Sequence, residues 1–433
     1  MNTMWLFGYN IVIAANQNIH EIHKKYTGID SVTAPFIGEL RVLRAYGYYH
    51  LIDLFGNVPI VTQYDSTHTA VGNDPVFETG RKKLFDTIIN DINKGMPYLS
   101  AEFDNTTFGA FNKWAAYALL AKMYINAEVW TGTARWDECI AACDSIIKSG
   151  KFVIASDYFS NFIQKNQDSK ENILVVPYNQ SSSELMEGMY FMSLHYNSDK
   201  KYNTIGAPWN GFCALPDHYH SFASNDVRRK GWEVGPQFSS TGVALKCSSS
   251  RKFPSKNLTF TADFTNPYDT TDTHPYSYKD ALEVNGGRLV KYEIAKGLPK
   301  TCLGVPLALF RYADILMLKA EAEMMKNGGV ATSDAVSLVN QIRTRASQAP
   351  YTIDQLTLDE LLAERGREFY YEGIRRQDLV RFGKFVRGTW GRNFSGPYQD
   401  QWYDRSTEGD YRNVFPIPSQ QMGGAGMNQN PGY

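Results

Sequence analysis

Apolar residues recur at three- and four-residue intervals over both ends of the chain, with glycine or alanine where two helices would cross, and this pattern restricts both ends to packed helices. From Phe36 to Phe55, Leu40, Leu43, Gly47, Leu51 and Leu54 make one stripe, the spacing that gathers side chains on one helix face. Gly47 on that stripe lets a neighbouring helix come close, a packing role and not a catalytic one. The helix is predicted to stop at Gly56-Asn57-Val58-Pro59, because glycine reaches positive φ and proline cannot extend the ladder. A further helix is predicted over Arg81 to Lys94. Phe111 to Trp130 places Trp114, Ala118, Ala121 and Ile125 on one face, and after Thr131-Gly132-Thr133 a partner follows with Trp136, Ile140, Cys143 and Ile147. Toward the other end, Leu309, Ala313, Leu316, Ala320 and Met324 form a stripe, and Ala335, Val339, Ile342 and Ala346 form its partner, with Ser333 or Asp334 as the cap. Alanine flanked by bulky residues is what close antiparallel packing of helices requires.

The predicted fold class is therefore mainly all-α, with helix pairs of tetratricopeptide type and a large irregular lobe carrying short β segments. Residues 1–150 and 304–433 are the helical parts of a single body. Residues 151–303 are rich in Ser, Asn, Gly, Pro, Tyr and Phe, carry short β-like runs such as Ile173 to Val176 and Arg288 to Tyr292, and show little helical period. Long loops on a rigid helical frame are where binding residues concentrate. The first residues, Met1 to Ala15, could be mistaken for a signal peptide, but they lack a basic start. Trp5, Tyr9, Val12, Ile13 and Asn16 fall on one face, which predicts an amphipathic helix. No stretch is long enough to span a bilayer.

With 44 Lys and Arg against 45 Asp and Glu the chain has no field with which to recruit a polyanion, and no nucleic-acid partner is expected. The 27 Tyr, 24 Phe and 8 Trp exceed what a helical core needs, so part of that aromatic surface is expected to face a ligand. The five cysteines are scattered and odd in number, which argues against a zinc ribbon or a disulfide framework. Cys139 and Cys143 read as small core residues on a helical stripe.

Motifs for bond chemistry are missing: there is no HExxH, no GxSxG and no GxxxxGKS or GxxxxGKT, and no cofactor is expected. Asp217-His218-Tyr219-His220 offers two imidazoles without further ligands at a metal spacing, and Asp269 to Asp272 reads as a solvated turn. The densest charge pattern runs from Glu364-Arg365 through Glu372-Gly373 to Asp378 and Arg381. A glycosidase would use two such carboxylates as acid and base. Arg365, however, shares a stripe with Leu358, Leu361, Leu362 and Phe369, so it should be buried and must find an acid among Glu368, Glu372 and Asp378. A structural ion network is the favoured reading.

Several segments together resemble the SusD/RagB family of Bacteroidetes outer-membrane nutrient-binding proteins, over essentially the whole chain. They are Trp5 to Asn16, Gly38 to Ala45 running on to Leu54 to Pro59, and Asn225-Asp226-Val227-Arg228. Arg311 to Leu316, Glu364 to Gly373 with Arg375 to Leu379, Phe415-Pro416-Ile417-Pro418 and Asn430 to Tyr433 complete the series. The resemblance implies binding without catalysis of a nutrient, mostly a glycan and in some members a peptide. It also implies a lipid anchor at the cell surface and a TonB-dependent SusC-like β-barrel as partner. Family members begin with a signal peptide, a lipid-modified cysteine and a further helical segment, whereas the first cysteine here is Cys139. The resemblance thus predicts that an anchoring segment is missing from this sequence.

The family motifs are scaffold motifs, so the candidate site follows from ligand chemistry. A sugar ring has an apolar C–H face and a rim of hydroxyls, and its receptor needs an exposed ring beside amide, carboxylate or guanidinium groups. His195, Tyr196, Trp209, Asn210, Phe212 and Tyr219 supply both, with Trp209 the leading candidate; its bland alternative is a tryptophan that pins the loop to the helical body. Tyr64, Asp65 and His68 are a second group. Trp390, Trp402 and Tyr403 read as packing or partner surface. Two other classes remain: an all-α carbohydrate hydrolase, which needs two facing carboxylates, and an intracellular peptide-tail adaptor, which would want a basic concave face.

Overall fold

Glycines at helix crossings set how closely the first three helices pack. The structure, a computed structural model, describes residues 1–26, 31–65, 71–178, 189–248, 251–274, 276, 281–294, 296, 304–386, 409–424 and 426–433. Helices α1 (Asn2–Lys25), α2 (Ala34–Phe55) and α3 (Phe77–Gly95) lie side by side. A Cβ on Gly47 would stand 3.0 Å from the Gly8 carbonyl oxygen of α1, and one on Gly95 would stand 2.5 Å from that of Gly38. Arg44 of α2 donates to Asp91 of α3 (2.6 and 2.7 Å) and to Asn16 of α1 (2.6 Å), which ties the three together. Helix α2 ends at Gly56, at φ +71°, as its sequence required. On α1 the buried face holds Trp5, Val12 and Asn16, but Ile13 is exposed, because the seam with α2 follows residues 5, 8, 12 and 16.

The stretch predicted as one helix to Trp130 is two: α4 (Lys113–Ile125) and α5 (Ala127–Thr131). They part at Asn126, whose side-chain amide donates to the Lys122 carbonyl (2.8 Å). Helix α6 (Trp136–Ile147) buries Cys139 and Cys143 against α4 and α10 (Tyr312–Lys326). Lys319 of α10 reaches Asp144 of α6 (2.6 Å) and Lys326 reaches Asp137, so α6 and α10 run antiparallel. Helix α11 (Ser333–Arg345) buries Ala335, Val339 and Ile342 on α10, yet its cap is Thr332 and not Ser333 or Asp334; the Thr332 hydroxyl accepts the Ala335 N–H (3.0 Å). Helices α12 (Leu358–Glu368) and α13 (Arg375–Arg381) follow.

The lobe between α6 and α10 contains the short helices α7 (Met189–Ser193), α8 (Asp199–Tyr202) and α9 (Pro216–His220). Its ladders are antiparallel: β1 (Asn172–Val176) with β6 (Leu307–Arg311), β2 (Trp232–Glu233) with β5 (Arg288–Leu289), and β3 (Gly235–Pro236) with β4 (Thr259–Phe260). The run predicted from Arg288 to Tyr292 keeps strand pairing for two residues only. Among the described residues three small apolar clusters replace a common core there, one around Tyr158, Phe162, Tyr190 and Trp232, one around Leu245, Leu258 and Phe260, and one of Phe264 and Tyr276.

Buried ion pairs join lobe to frame. Glu368 of α12 accepts from Arg345 (2.5 Å), Arg311 (3.0 Å) and Arg228 (3.1 Å), and Arg311 also reaches Glu171 (2.5 Å) and Glu372 (2.6 Å). Lys291 of the lobe donates to Glu372 (2.6 Å) and to the Tyr370 carbonyl (2.8 Å). Burial draws Lys291 down to about 8, with Glu372 opposing. Burial would lift the Glu364 carboxyl, but Arg228 and Arg367 beside it bring it down to about 2. Arg365 is buried and pairs with Asp378 (2.9 Å) and Asp314 (2.8 Å), so the charge-dense segment is a structural network.

Candidate functional site

The lobe opens a cavity of about 690 Å³ whose wall is the loop from Asn210 to Leu215. That loop is fixed by the end of α7, which like any helix has spare terminal carbonyls. The Phe191 carbonyl accepts from the Trp209 N–H (2.8 Å), that of Leu194 from Asn210 (2.9 Å), and that of Met192 from Gly211 (2.6 Å) and Phe212 (3.1 Å). On the other side the Ala214 N–H donates to the Gly287 carbonyl (2.9 Å). Gly286, at φ +77°, is needed for this approach, since a Cβ there would stand 2.5 Å from Cys213 Sγ.

Arg288 forms the floor. Its guanidinium is buried and donates to Asn210 Oδ1 (2.8 Å) and to the carbonyls of Asn285 (2.7 Å), Gly286 (2.6 Å) and Glu283 (2.6 Å). It also lies over the Phe260 ring at 4.6 Å. Burial lowers its pKa, and neutral oxygens carry the charge. Glu283 lines the wall with one carboxylate oxygen engaged, since Oε2 accepts from His195 Nε2 (2.8 Å) and from the Ser248 N–H (3.0 Å), while Oε1 has no partner among the described residues. His195 Nδ1 accepts the Asn197 N–H (3.1 Å), so the imidazole is neutral with its proton on Nε2; burial lowers its pKa although Glu283 pulls the other way. Tyr196, Phe212, Phe253 and Phe264 contribute rings to the lining, and Arg251 donates to Tyr196 Oη (2.7 Å).

The structure thus brings together Tyr196, Asn210 and Phe212 of the candidates read from sequence, and Phe212 is 54% exposed. His195 is corrected: it is fully buried behind Glu283 and Phe260 and supports the wall instead of touching a ligand. Trp209 is 51% exposed with its ring edge-on to Phe191 (5.6 Å), beside the cavity but outside its lining. Tyr219 packs beneath the Arg229 guanidinium (4.4 Å) against the Tyr158 cluster. Tyr64 lies with its ring tilted against His20 of α1 (5.1 Å), and neither it nor the exposed Asp65 lines this cavity. His68, Trp390, Trp402, Tyr403 and Cys302 lie outside the described residues. His218 is packed among Phe222, Trp232 and Tyr370, while His220 faces out to Asp263 (2.8 Å), so the two imidazoles do not converge.

Sequence reasoning missed Arg251, Lys252, Phe253, Phe264, Glu283 and Arg288. They sit in aperiodic segments tens of residues from Phe212. The one local signal was Gly286-Gly287, because paired glycines mark a close backbone approach and so the neighbourhood of a wall.

Against known proteins, the SusD family profile matches residues 170–433, and a profile described as starch-binding, associating with the outer membrane, matches residues 1–125. The starch-binding protein SusD of Bacteroides thetaiotaomicron is 26% identical over 442 residues, spanning 93% of this chain and 74% of that protein. SusD-like protein P38 of Formosa agariphila is 25% identical, spanning 88% of this chain and 72% of that one. Among solved structures, a SusD homolog from Bacteroides thetaiotaomicron superposes with TM-score 0.75 at 20% identity over 99% of this chain and 85% of the other. A laminarin-binding SusD-like protein superposes at 0.71 with 19% identity over 100% and 86%.

Proposed function

The chain belongs to the SusD family, and on that premise we propose that it holds a nutrient glycan at the outer membrane and passes it, uncleaved, to a TonB-dependent SusC-like β-barrel. A lipid anchor on the cell surface is part of the same proposal. The observation that carries it is the cavity of about 690 Å³, within the usual 300–1,000 Å³ range of ligand sites, where the rings of Phe212, Tyr196 and Phe253 stand beside the Asn210 amide and the Arg251 guanidinium. Rings fit the C–H face of a sugar, and the polar groups fit its hydroxyls. The starch-binding and laminarin-binding names of relatives support this reading. Hydrolysis would need a pair of carboxylates roughly 5–10 Å apart, whereas among the described lining residues Glu283 supplies the carboxylate and is already held by His195 and Ser248.

Calorimetric titration with a panel of oligosaccharides, and with peptides of similar length, tests the proposal. Phe212→Ala is expected to weaken saccharide binding by roughly three- to tenfold, the worth of one aromatic contact, and chromatography of the same mixtures should recover the sugars at full length. Peptide binding without saccharide binding would move the ligand to the peptide class. Shortened sugars would make the protein a hydrolase.

A further inference from the structure

Charge in the cavity is out of step with charge in the chain. The formal charge of the chain is −1, but the described lining residues include Arg251, Lys252 and Arg288 against the single carboxylate of Glu283. Those cations differ in how far their charge is already answered. Lys252 donates to Tyr276 Oη (3.0 Å), which in turn donates to Asp272 (2.8 Å), so part of its charge is met at the rim. Among the described residues Arg288 has only neutral acceptors, and Glu283 turns Oε2 to His195 and a backbone N–H. Arg251 is exposed, lies over the Tyr196 ring at 5.5 Å, and among the described residues uses a single N–H, toward Tyr196 Oη. A guanidinium has five N–H donors in a planar fork that matches a carboxylate or a sulfate edge-on, and the contact with Tyr196 holds that fork at the cavity lining.

We propose that this cavity selects acidic saccharides, sugars bearing a carboxylate or a sulfate ester, with the acidic group on Arg251 and the adjoining ring face on Phe212 or Tyr196. The proposal rests on the glycan-binding reading and narrows it. An uncharged glucan would leave the Arg251 fork facing water and gain nothing from the positive floor. An acidic sugar converts the same donors into charge-assisted hydrogen bonds in a partly enclosed space, where they are stronger than at an open surface.

The test uses the whole chain and three oligosaccharides of equal length: an oligogalacturonate, a sulfated galactose oligomer and an uncharged galactose oligomer, titrated at low and high salt, with an acidic hexapeptide as control. At least one acidic sugar should bind about tenfold more tightly than the uncharged one, about 1.4 kcal/mol, and salt should shrink that gap through screening. Arg251→Gln should cost the acidic sugar about tenfold more than it costs the uncharged sugar, and Arg251→Lys should restore part of the difference. The two acidic arms separate carboxylate from sulfate. Equal affinity for all three sugars, or equal losses in Arg251→Gln, overturns the acidic preference while leaving glycan binding intact. An acidic peptide that binds better than every sugar, or no sugar binding at all, overturns the glycan reading and this inference with it. Arg251 is exposed, so the variant should fold, and circular dichroism checks that it does.

Discussion

The helical frame and the lobe solve the packing problem in opposite ways. In the frame, small residues let backbones touch, as at Gly38 and Gly95, and apolar stripes fuse into one core running from Trp5 to Ile417. Around the lobe's cavity, the ladders β2–β5 and β3–β4 are two residues long and could not stand alone, and the shape is held by side chains that bond to backbone, as Arg288 does with three carbonyls. The contrast shows where rigidity comes from in each: interlocking volume in one, satisfied hydrogen bonds in the other. Their junction carries buried ion pairs, with Arg228 and Lys291 of the lobe bonded to Glu368 of α12 and to Glu372 just beyond it, alongside Tyr370 stacked on Trp232 of the lobe (5.1 Å).

The junction is where the comparison is easiest to break. Glu368→Gln leaves three buried arginines, Arg228, Arg311 and Arg345, short of a counter-charge, and should cost about 3–5 kcal/mol in urea denaturation. A loss below about 1 kcal/mol would mean that apolar contacts, and not charge, hold the lobe in place. The frame is tested by Gly95→Ala. Its new methyl would meet the Gly38 carbonyl oxygen at 2.5 Å, against backbone that cannot swing aside, and the expected cost is about 1–3 kcal/mol. An unchanged midpoint would show that α2 and α3 can slide apart freely.

The same contrast explains what could be read from the sequence. Helical periodicity is local, so the stripes through Gly47, Ala118, Ala320 and Val339 announced their elements, and the family-like segments placed them in one fold. Errors fell at ends, where a single side chain decides: Asn126 parting α4 from α5, Thr332 in place of its neighbours as cap. The site was legible only where it lay on one continuous loop, at Asn210 and Phe212 with nearby Tyr196. Its other walls, Arg251, Glu283 and Arg288, come from segments without a period, and no local rule links them to residue 212. Histidine misled for a related reason. His195 looked like a polar contact from its neighbours in sequence, but the chain folds it inward to orient Glu283.

Acid should sharpen the comparison further, with the smallest of these effects. Each region holds a half-buried histidine whose buried Nε2 has no hydrogen-bond partner among the described residues: His50 in the frame, among Tyr46, Tyr49 and Phe7, and His218 in the lobe, among Phe222, Trp232 and Tyr370. Burial pulls His50 down to about 4 and His218 to about 3, each further lowered by nearby cations, while Asp53 pulls His50 back up. Because the folded values lie below the unfolded one of ~6.5, the unfolded chain takes up protons first as pH falls. Stability is therefore complete above pH ~6.5 and declines as acid is added, through about pH 4 for His50 and about pH 3 for His218. The paired carboxylates add nothing yet at pH 5, since Glu364, at about 2 in the fold, separates from its unfolded value only below pH ~4.5. Calorimetric melting at pH 7 and pH 5 should thus show a loss of roughly 1–2 kcal/mol per histidine. His218→Phe and His50→Phe, which keep a ring in place, should each flatten part of that slope. If frame and lobe melt as one body, both variants act on a single transition; if the junction yields first, His218→Phe alone steadies the earlier of two. A slope unchanged in both variants would assign the acid sensitivity to groups other than these two histidines.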